Sequence, residues 1–317
     1  MRSWGRCLAA AGVGDHQVRA DYSAASRYLQ RRELVGWVVL RVLLPPESQP
    51  HIVAATALAC HTDDLCDRGP VAERTQRFDE WAARVATALG TRRSDHPLVR
   101  AYLHSADLLD LSRKWIDSYM AGTRDDLAFS GFAQEADYQR YVDRVALPSF
   151  MLATQAMPRL VPEHCFAASA RVVADGTQRT DFLTDMFEDL RDGRLTLPVC
   201  DLDRYGVTRG DLKNGLDTPG VRALISATAR SARASLVEGE RILAEIAPDY
   251  RPFFRCMAGV MHKRLDDVGT RGVAVICRPY HDQPVAGLRM VVHSRRAGAS
   301  TKCHSRHLKP ADPVRSS

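Results

Sequence analysis

In TDFLTDMFEDLRDGRLTLP (180–198), Asp181, Asp185 and Glu188 follow one another at spacings of four and three, with Asp189 beside the last. Residues three and four apart are neighbours on a helix, so the first three acids share one face. Like charges stacked this way repel by roughly a few tenths of a kcal/mol per pair. Such a face is either wet or covered by something cationic. Arg191, Gly193, Arg194 and Pro198 close the segment. ACHTDDLCDRGP (59–70) repeats the theme: Asp63 and Asp67 are four apart, with Asp64 beside them. They fall at the end of a helix predicted to start near His51, where the macrodipole disfavours added negative charge. Two apolar helices that each carry an acidic patch restrict the fold: either the patches line its outside, or they face each other across a shared cavity.

The rest of the chain points to helix. Aromatics make up only 7% of the 317 residues, and Ala and Leu are plentiful. From Asp21 to about Gly272, helical patterns alternate with short breaks such as PPESQP, CDRGP and RSDHP. RGVAVICRPY (271–280) is the one strand-like piece. The expected organisation is a lead-in over 1–20, a helical catalytic body over 21–272, an extension over 273–296 and a disordered basic tail over 297–317. The net charge is +6, yet Arg295 to Ser317 holds six basic side chains against Asp312. The basicity therefore reports a tail and not a nucleic-acid-binding face. Eight cysteines without regular spacing suggest reduced thiols in a cytoplasmic protein. LVGWVVLRVLLPP, broken by Arg41, is too short to span a membrane.

If the acidic patches face each other, Mg²⁺ is the natural occupant, because it takes oxygen ligands and bridges carboxylates to substrate phosphates. Asp63, Asp64, Asp67, Asp181, Asp185, Glu188 and Asp189 are the candidate ligands. Arg191 and Arg194 are placed to add contacts to phosphate oxygens. His61 could touch a diphosphate or be an ordinary helix residue. Asp125 and Asp126 read as a loop or helix start, LDDVG (265–269) as a solvated end, and Cys60 and Cys66 as small hydrophobes. There is no zinc-ligand spacing and no glycine-rich nucleotide loop. The opposing reading is a non-catalytic helical binding protein with wet acidic faces.

The segment from Thr180 resembles the second aspartate-rich motif of squalene and phytoene synthases, D-x-x-x-D and E-D followed by G-R-x-x-L-P and G-V. LLPPESQPHIVAATALACHTDDLCD (43–67) is similar to the segment carrying their first motif. EADYQRYVDRVA (135–146) is similar to the helix between them, with Tyr141 at the tyrosine position. The likeness covers roughly residues 35–270. It implies an all-α class I isoprenoid synthase bundle around a central apolar cavity. It also implies Mg²⁺, expected as three ions, and ionisation of an allylic prenyl diphosphate. By carry-over, Asp63, Asp64 and Asp67 would face Asp181, Asp185 and Asp189 around the metals.

Departures from the family pattern shape the expected reaction. Cys60 stands where the first motif usually has Arg, and Thr184 and Thr196 replace an Arg and a Tyr of the second. VALPSF (145–150) replaces V-A-G-x-V-G, so Leu147 and Phe150 fill space that glycines leave open. These changes weigh against joining two long prenyl diphosphates. A resemblance to a divergent actinobacterial branch, which includes carbazole prenyltransferases of secondary metabolism, favours a different reaction. A short donor, dimethylallyl diphosphate foremost, would be attacked by a ring carbon of a small aromatic acceptor. Asp63, Asp67 and Asp185 would serve ionisation, and Tyr141 would bond the diphosphate or help remove the ring proton. The alternatives are a terpene cyclase and a head-to-head condensing synthase of the same fold.

Overall fold

A computed structural model describes residues 1–67 and 69–281. The expected basic tail, and most of the extension before it, lie outside those residues. The first half contains α1 (Trp4–Ala10), α2 (His16–Arg32), α3 (Leu34–Leu43), α4 (Gln49–Cys66), α5 (Val71–Thr91), α6 (Pro97–Leu108) and α7 (Arg113–Leu127). Then come α8 (Glu135–Tyr141), a π-turn over Val142–Ala146, α9 (Leu147–Thr154), α10 (Glu163–Thr184) and α11 (Met186–Arg191). The last part holds α12 (Val199–Arg204), α13 (Arg209–Lys213), α14 (Pro219–Gly239), α15 (Ile242–Glu245) and α16 (Arg251–Arg271).

Helix ends obey local chemistry. The Asp15 carboxylate accepts from the Val18 amide (2.9 Å) and starts α2. Gln134 and Asp137 form a capping box at α8. Among the described residues there is no strand. Gly272–Ile276, expected to be extended, forms a 3₁₀ turn. Its Val273, Val275 and Ile276 bury against Leu190, Val221 and Leu265, so tertiary burial overrides the β-branched preference.

Two close approaches set the frame. A Cβ at Gly176 of α10 would lie 2.8 Å from Leu236 Cγ and 3.0 Å from the Ala232 carbonyl of α14, so the glycine lets these long helices meet backbone to backbone. A Cβ at Gly122 of α7 would overlap the Arg144 carbonyl. That carbonyl lies four residues before Pro148, which has no N–H to offer it. The chain there widens into the π-turn, and Gly122 sits against the exposed backbone. A π-turn absorbs an extra residue and rotates the next stretch of helix by about 100°. Tyr141 and Phe150, nine residues apart and on opposite faces of an unbroken helix, are thereby brought to the same side. Both pack against the group that contains Phe132, Phe182 and Ala174.

Arg41, which interrupts the apolar run at the sequence level, is only 4% exposed. Its guanidinium donates to the Gln49 amide oxygen and to the Arg2 carbonyl, and lies over the Trp4 ring at 4.8 Å. The cation thus ties the N-terminal segment to α3 and α4.

Candidate active site

The first acidic motif occupies the last turn of α4, with Asp67 at its C-cap. Asp63 points inward and accepts a hydrogen bond from the Tyr119 hydroxyl at 2.8 Å. Burial pushes its carboxyl up to about 6, despite that bond. Asp64 is exposed; the Tyr28 hydroxyl donates to it, and Arg32 Nε donates at 2.6 Å. Against the effect of burial, these two partners hold Asp64 below the ordinary carboxylate range. Arg32 also lies 3.7 Å from Asp67. Arg32 reaches the motif from the end of α2, and its charge is felt at Cys60. A cation therefore stands near the position where the sequence lacks the expected arginine.

The second motif is not one continuous helix face. α10 stops at Thr184, Asp185 takes φ −94° and ψ 5°, and α11 begins at Met186. The Asp181 carbonyl accepts both from the Asp185 amide (2.8 Å) and from the Thr184 hydroxyl (3.0 Å). Asp181 thus belongs to the last turn of α10, Asp185 to the joint, and Glu188 and Asp189 to α11. Asp181 pairs with Arg264 of α16 at 2.8 Å. Asp185 and Glu188 are exposed. Asp189 faces inward, 3.4 Å from Arg194. Burial pushes the Asp189 carboxyl up to about 7, with Arg194 opposing and Asp185 and Asp126 adding to the shift.

Asp126 lies in the last turn of α7, not at a loop or helix start. It accepts from the Tyr141 hydroxyl at 2.9 Å and from Arg194 at 3.1 Å. Burial and the Asp126 carboxylate raise the Tyr141 phenol well above its ordinary range, and its hydroxyl donates to Asp126. Burial pushes the Cys66 thiol up to about 12, with Asp63, Asp67 and Asp126 contributing. Asp126 therefore acts on a residue of the first motif and on Asp189 of the second. Sequence reasoning missed Tyr119, Asp126, Arg32 and Arg264, because each lies far along the chain from the motif it serves.

His61 packs edge-on to Trp81 (4.7 Å) and Tyr28 (5.6 Å) and stacks on His96 (5.1 Å). It sits in an aromatic group beside the motif, and burial lowers its pKa. Arg191 is exposed, with its guanidinium over Phe187 at 5.3 Å. Asp266 and Asp267 lie in the last two turns of α16, where the exposed Asp266 pairs with Arg233 and Asp267 pairs with Lys263. Leu147 packs into the core of α4, α10 and α16, as does Phe150. Phe150 also lines an apolar pocket of about 180 Å³ between α9, α10, α14 and α16. Thr177 and Met261 line the same pocket, one turn from Asp181 and Arg264 respectively.

As they stand among the described residues, no three acidic, His or Cys side chains converge closely enough to hold a metal ion. Arginines neutralise the carboxylates instead: Arg32 for Asp64 and Asp67, Arg264 for Asp181, Arg194 for Asp126 and Asp189. The donor set still suits a hard cation, because it is built from carboxylate oxygens. Asp63 and Asp189, both raised by burial, would be stabilised by added positive charge.

The fold is the all-α isoprenoid synthase bundle. The solved squalene synthase HpnC from Alicyclobacillus acidocaldarius superposes with a TM-score of 0.74 at 20% identity, over 86% of this chain and 100% of that one. A dehydrosqualene synthase in complex with ligand gives 0.78 at 18% identity, over 89% and 98%. The profile of the squalene/phytoene synthase family matches residues 38–293. The chain belongs to the squalene/phytoene synthase family. It is 26% identical to the bifunctional protein CrtB/UppS of Streptomyces coelicolor over 81% of its own length, but spans only 45% of that protein. It spans 65% of the 15-cis-phytoene synthase of Synechocystis, again at 26% identity. With the phytoene synthase of Thermus thermophilus it shares 32% identity over 69% of this chain and 73% of that one. Among the described residues, no helix is long and apolar enough to cross a membrane.

Proposed function

We propose that this chain is a Mg²⁺-dependent prenyltransferase that takes an allylic prenyl diphosphate between its two acidic motifs and transfers the prenyl group as a carbocation. The observation that carries the reading is the convergence of the motifs on α7, with Asp63 held by Tyr119 and Asp189 joined through Arg194 to Asp126. Asp63, Asp64 and Asp67 on one side, and Asp181, Asp185 and Asp189 on the other, with Glu188 beside them, would hold the metal. Bound Mg²⁺ would neutralise charge developing on the departing diphosphate. Arg194, and Arg191 at the rim, would contact phosphate oxygens. Tyr141 would orient Asp126 and Arg194, and the apolar wall beyond it would exclude water from the cation.

For the nucleophile, the relatives favour head-to-head coupling of two prenyl diphosphates. The condensing reaction therefore stands ahead of the aromatic acceptor expected from the sequence. Transfer to an aromatic ring such as a carbazole is a second reading. It is supported by the threonine at 184 in place of an arginine and by Leu147 and Phe150 in place of the glycines of the family pattern. Allylic diphosphates of five to twenty carbons, supplied alone and with carbazole or indole, separate the readings by product. A coupled hydrocarbon or cyclopropyl diphosphate from the donor alone identifies the condensing enzyme. A prenylated ring identifies the aromatic transferase, and a cyclic monomeric terpene would move the protein to the cyclases.

A further inference from the structure

The geometry points to Arg74 and Arg77 of α5 as positioning residues that hold the last turn of α4, and with it Asp63, Asp64 and Asp67, in the shape that takes Mg²⁺. The inference rests on the proposed use of Mg²⁺ at that motif. GPVAERTQRF (69–78) places the two arginines three apart, on one face of α5. Gly69, at φ +94°, turns the chain between the two helices. Arg74 Nη1 donates to the Cys66 carbonyl at 3.1 Å, and Arg77 Nε donates to the Leu65 carbonyl at 3.2 Å. Further along α5, Trp81 Nε1 donates to the buried Thr62 hydroxyl at 2.8 Å. Three α5 side chains thus grip α4 from Thr62 to Cys66, the stretch that carries Asp63 and Asp64.

The last carbonyls of a helix lack intrahelical donors, and helix ends fray. Here the end carries a further burden, because three aspartates fall where the macrodipole is already negative. The two guanidinium groups answer both: they occupy the carbonyls and set positive charge at the negative end. Tyr119, Tyr28 and Arg32 bond to carboxylates of the motif, whereas Arg74 and Arg77 bond to its backbone. Without the arginines, Mg²⁺ would have to order the turn as it binds, which weakens its apparent affinity. A pure charge effect has the opposite sign: losing a cation beside the motif would strengthen the attraction for Mg²⁺.

The test uses the full-length protein and its Arg74→Met, Arg77→Met, Arg74→Lys and Arg77→Lys variants. Arg159→Met serves as a control for lost stability, since Arg159 pairs with Glu163 at the start of α10. The melting temperature is followed through a Mg²⁺ titration in the presence of inorganic pyrophosphate. Each methionine variant is expected to need roughly tenfold more Mg²⁺ than wild type for half of its maximal stabilisation. The lysine variants keep the charge without the planar fork and should need about threefold more. Arg159→Met should melt lower but keep the wild-type midpoint. An unchanged or lowered midpoint in a methionine variant overturns the inference for that arginine, and an equal rise in Arg159→Met overturns it for both. Each of these results leaves the proposed function intact. Where a methionine variant does not fold, the lysine variant decides by the same midpoint, a rise supporting the inference and no rise overturning it. A wild type that Mg²⁺ and pyrophosphate do not stabilise overturns the proposed function and the inference together.

Discussion

Tyr119 and Asp126 stand seven residues apart on α7, two turns along one face, and each serves a different acidic motif. Tyr119 donates to Asp63 at the end of α4 (2.8 Å), and Asp126 accepts from Arg194 just beyond α11 (3.1 Å). α7 is thus the strut on which the two halves of the site are referenced to each other. Its own position depends on the contact of Gly122 with the π-turn backbone.

Removing the Tyr119 hydroxyl leaves Asp63 buried without its donor. Tyr119→Phe is expected to cost about 1–2 kcal/mol of stability at neutral pH. It should also weaken Mg²⁺-dependent thermal stabilisation roughly tenfold in metal concentration, because the ligand loses its orientation. Denaturant unfolding and a Mg²⁺ titration of the melting temperature read the two effects. A variant indistinguishable from wild type in both would remove Tyr119 from the site.

Gly122→Ala would push a methyl group into the Arg144 carbonyl. We expect destabilisation of about 2–4 kcal/mol, in the range of overpacked cores and strained backbones. Equilibrium unfolding measures it, and a change below about 0.5 kcal/mol would mean that the π-turn shifts freely.

Asp189 is an acid kept where burial disfavours its charge. Its carboxyl is raised to about 7 in the folded chain, so above that pH the ionised form opposes folding. Asp189→Asn should therefore stabilise the metal-free protein at pH 8 by about 1 kcal/mol, or about 2 °C. The same change should abolish most of the stabilisation by Mg²⁺. A loss of stability without metal would show that the Arg194 pair outweighs the burial cost.

The parts of the fold and site that were legible in the sequence are the local ones. Asp63, Asp67, Asp181 and Asp185 declare themselves by spacing, and alanine- and leucine-rich segments declare a helical bundle. The break at Asp185 does not, because no glycine or proline stands at the joint to mark it. Asp126 reads as a loop acid because its partners, Tyr141 and Arg194, lie fifteen and sixty-eight residues away. Arg32 and Arg264 are lost among 44 Lys and Arg residues. The valines after Arg271 suggest a strand because alternation is read without knowledge of the helices they bury against.

The buried imidazole of His51 supplies a pH dependence away from the acidic site. His51 shares hydrogen bonds with Tyr22 (3.2 Å) and Ser105 (3.0 Å), and burial lowers its pKa to about 4. The unfolded chain binds the proton more readily, so stability is full above about pH 6.5 and falls as the pH drops towards 4. This group contributes a loss on the order of 3 kcal/mol across that window. His51→Gln should flatten the slope of melting temperature between pH 6.5 and 4 relative to wild type. An unchanged slope would assign the acid sensitivity elsewhere.

The most direct test of the central claim is Mg²⁺-dependent pyrophosphate release from C5, C10, C15 and C20 allylic diphosphates, with Asp63→Asn and Asp185→Ala as controls. The account predicts release from at least one donor, its loss with EDTA, and a fall of a hundredfold or more in either variant. No release from any donor, with the wild type and both variants alike, would contradict it and leave the acidic faces as solvated surface on a helical bundle.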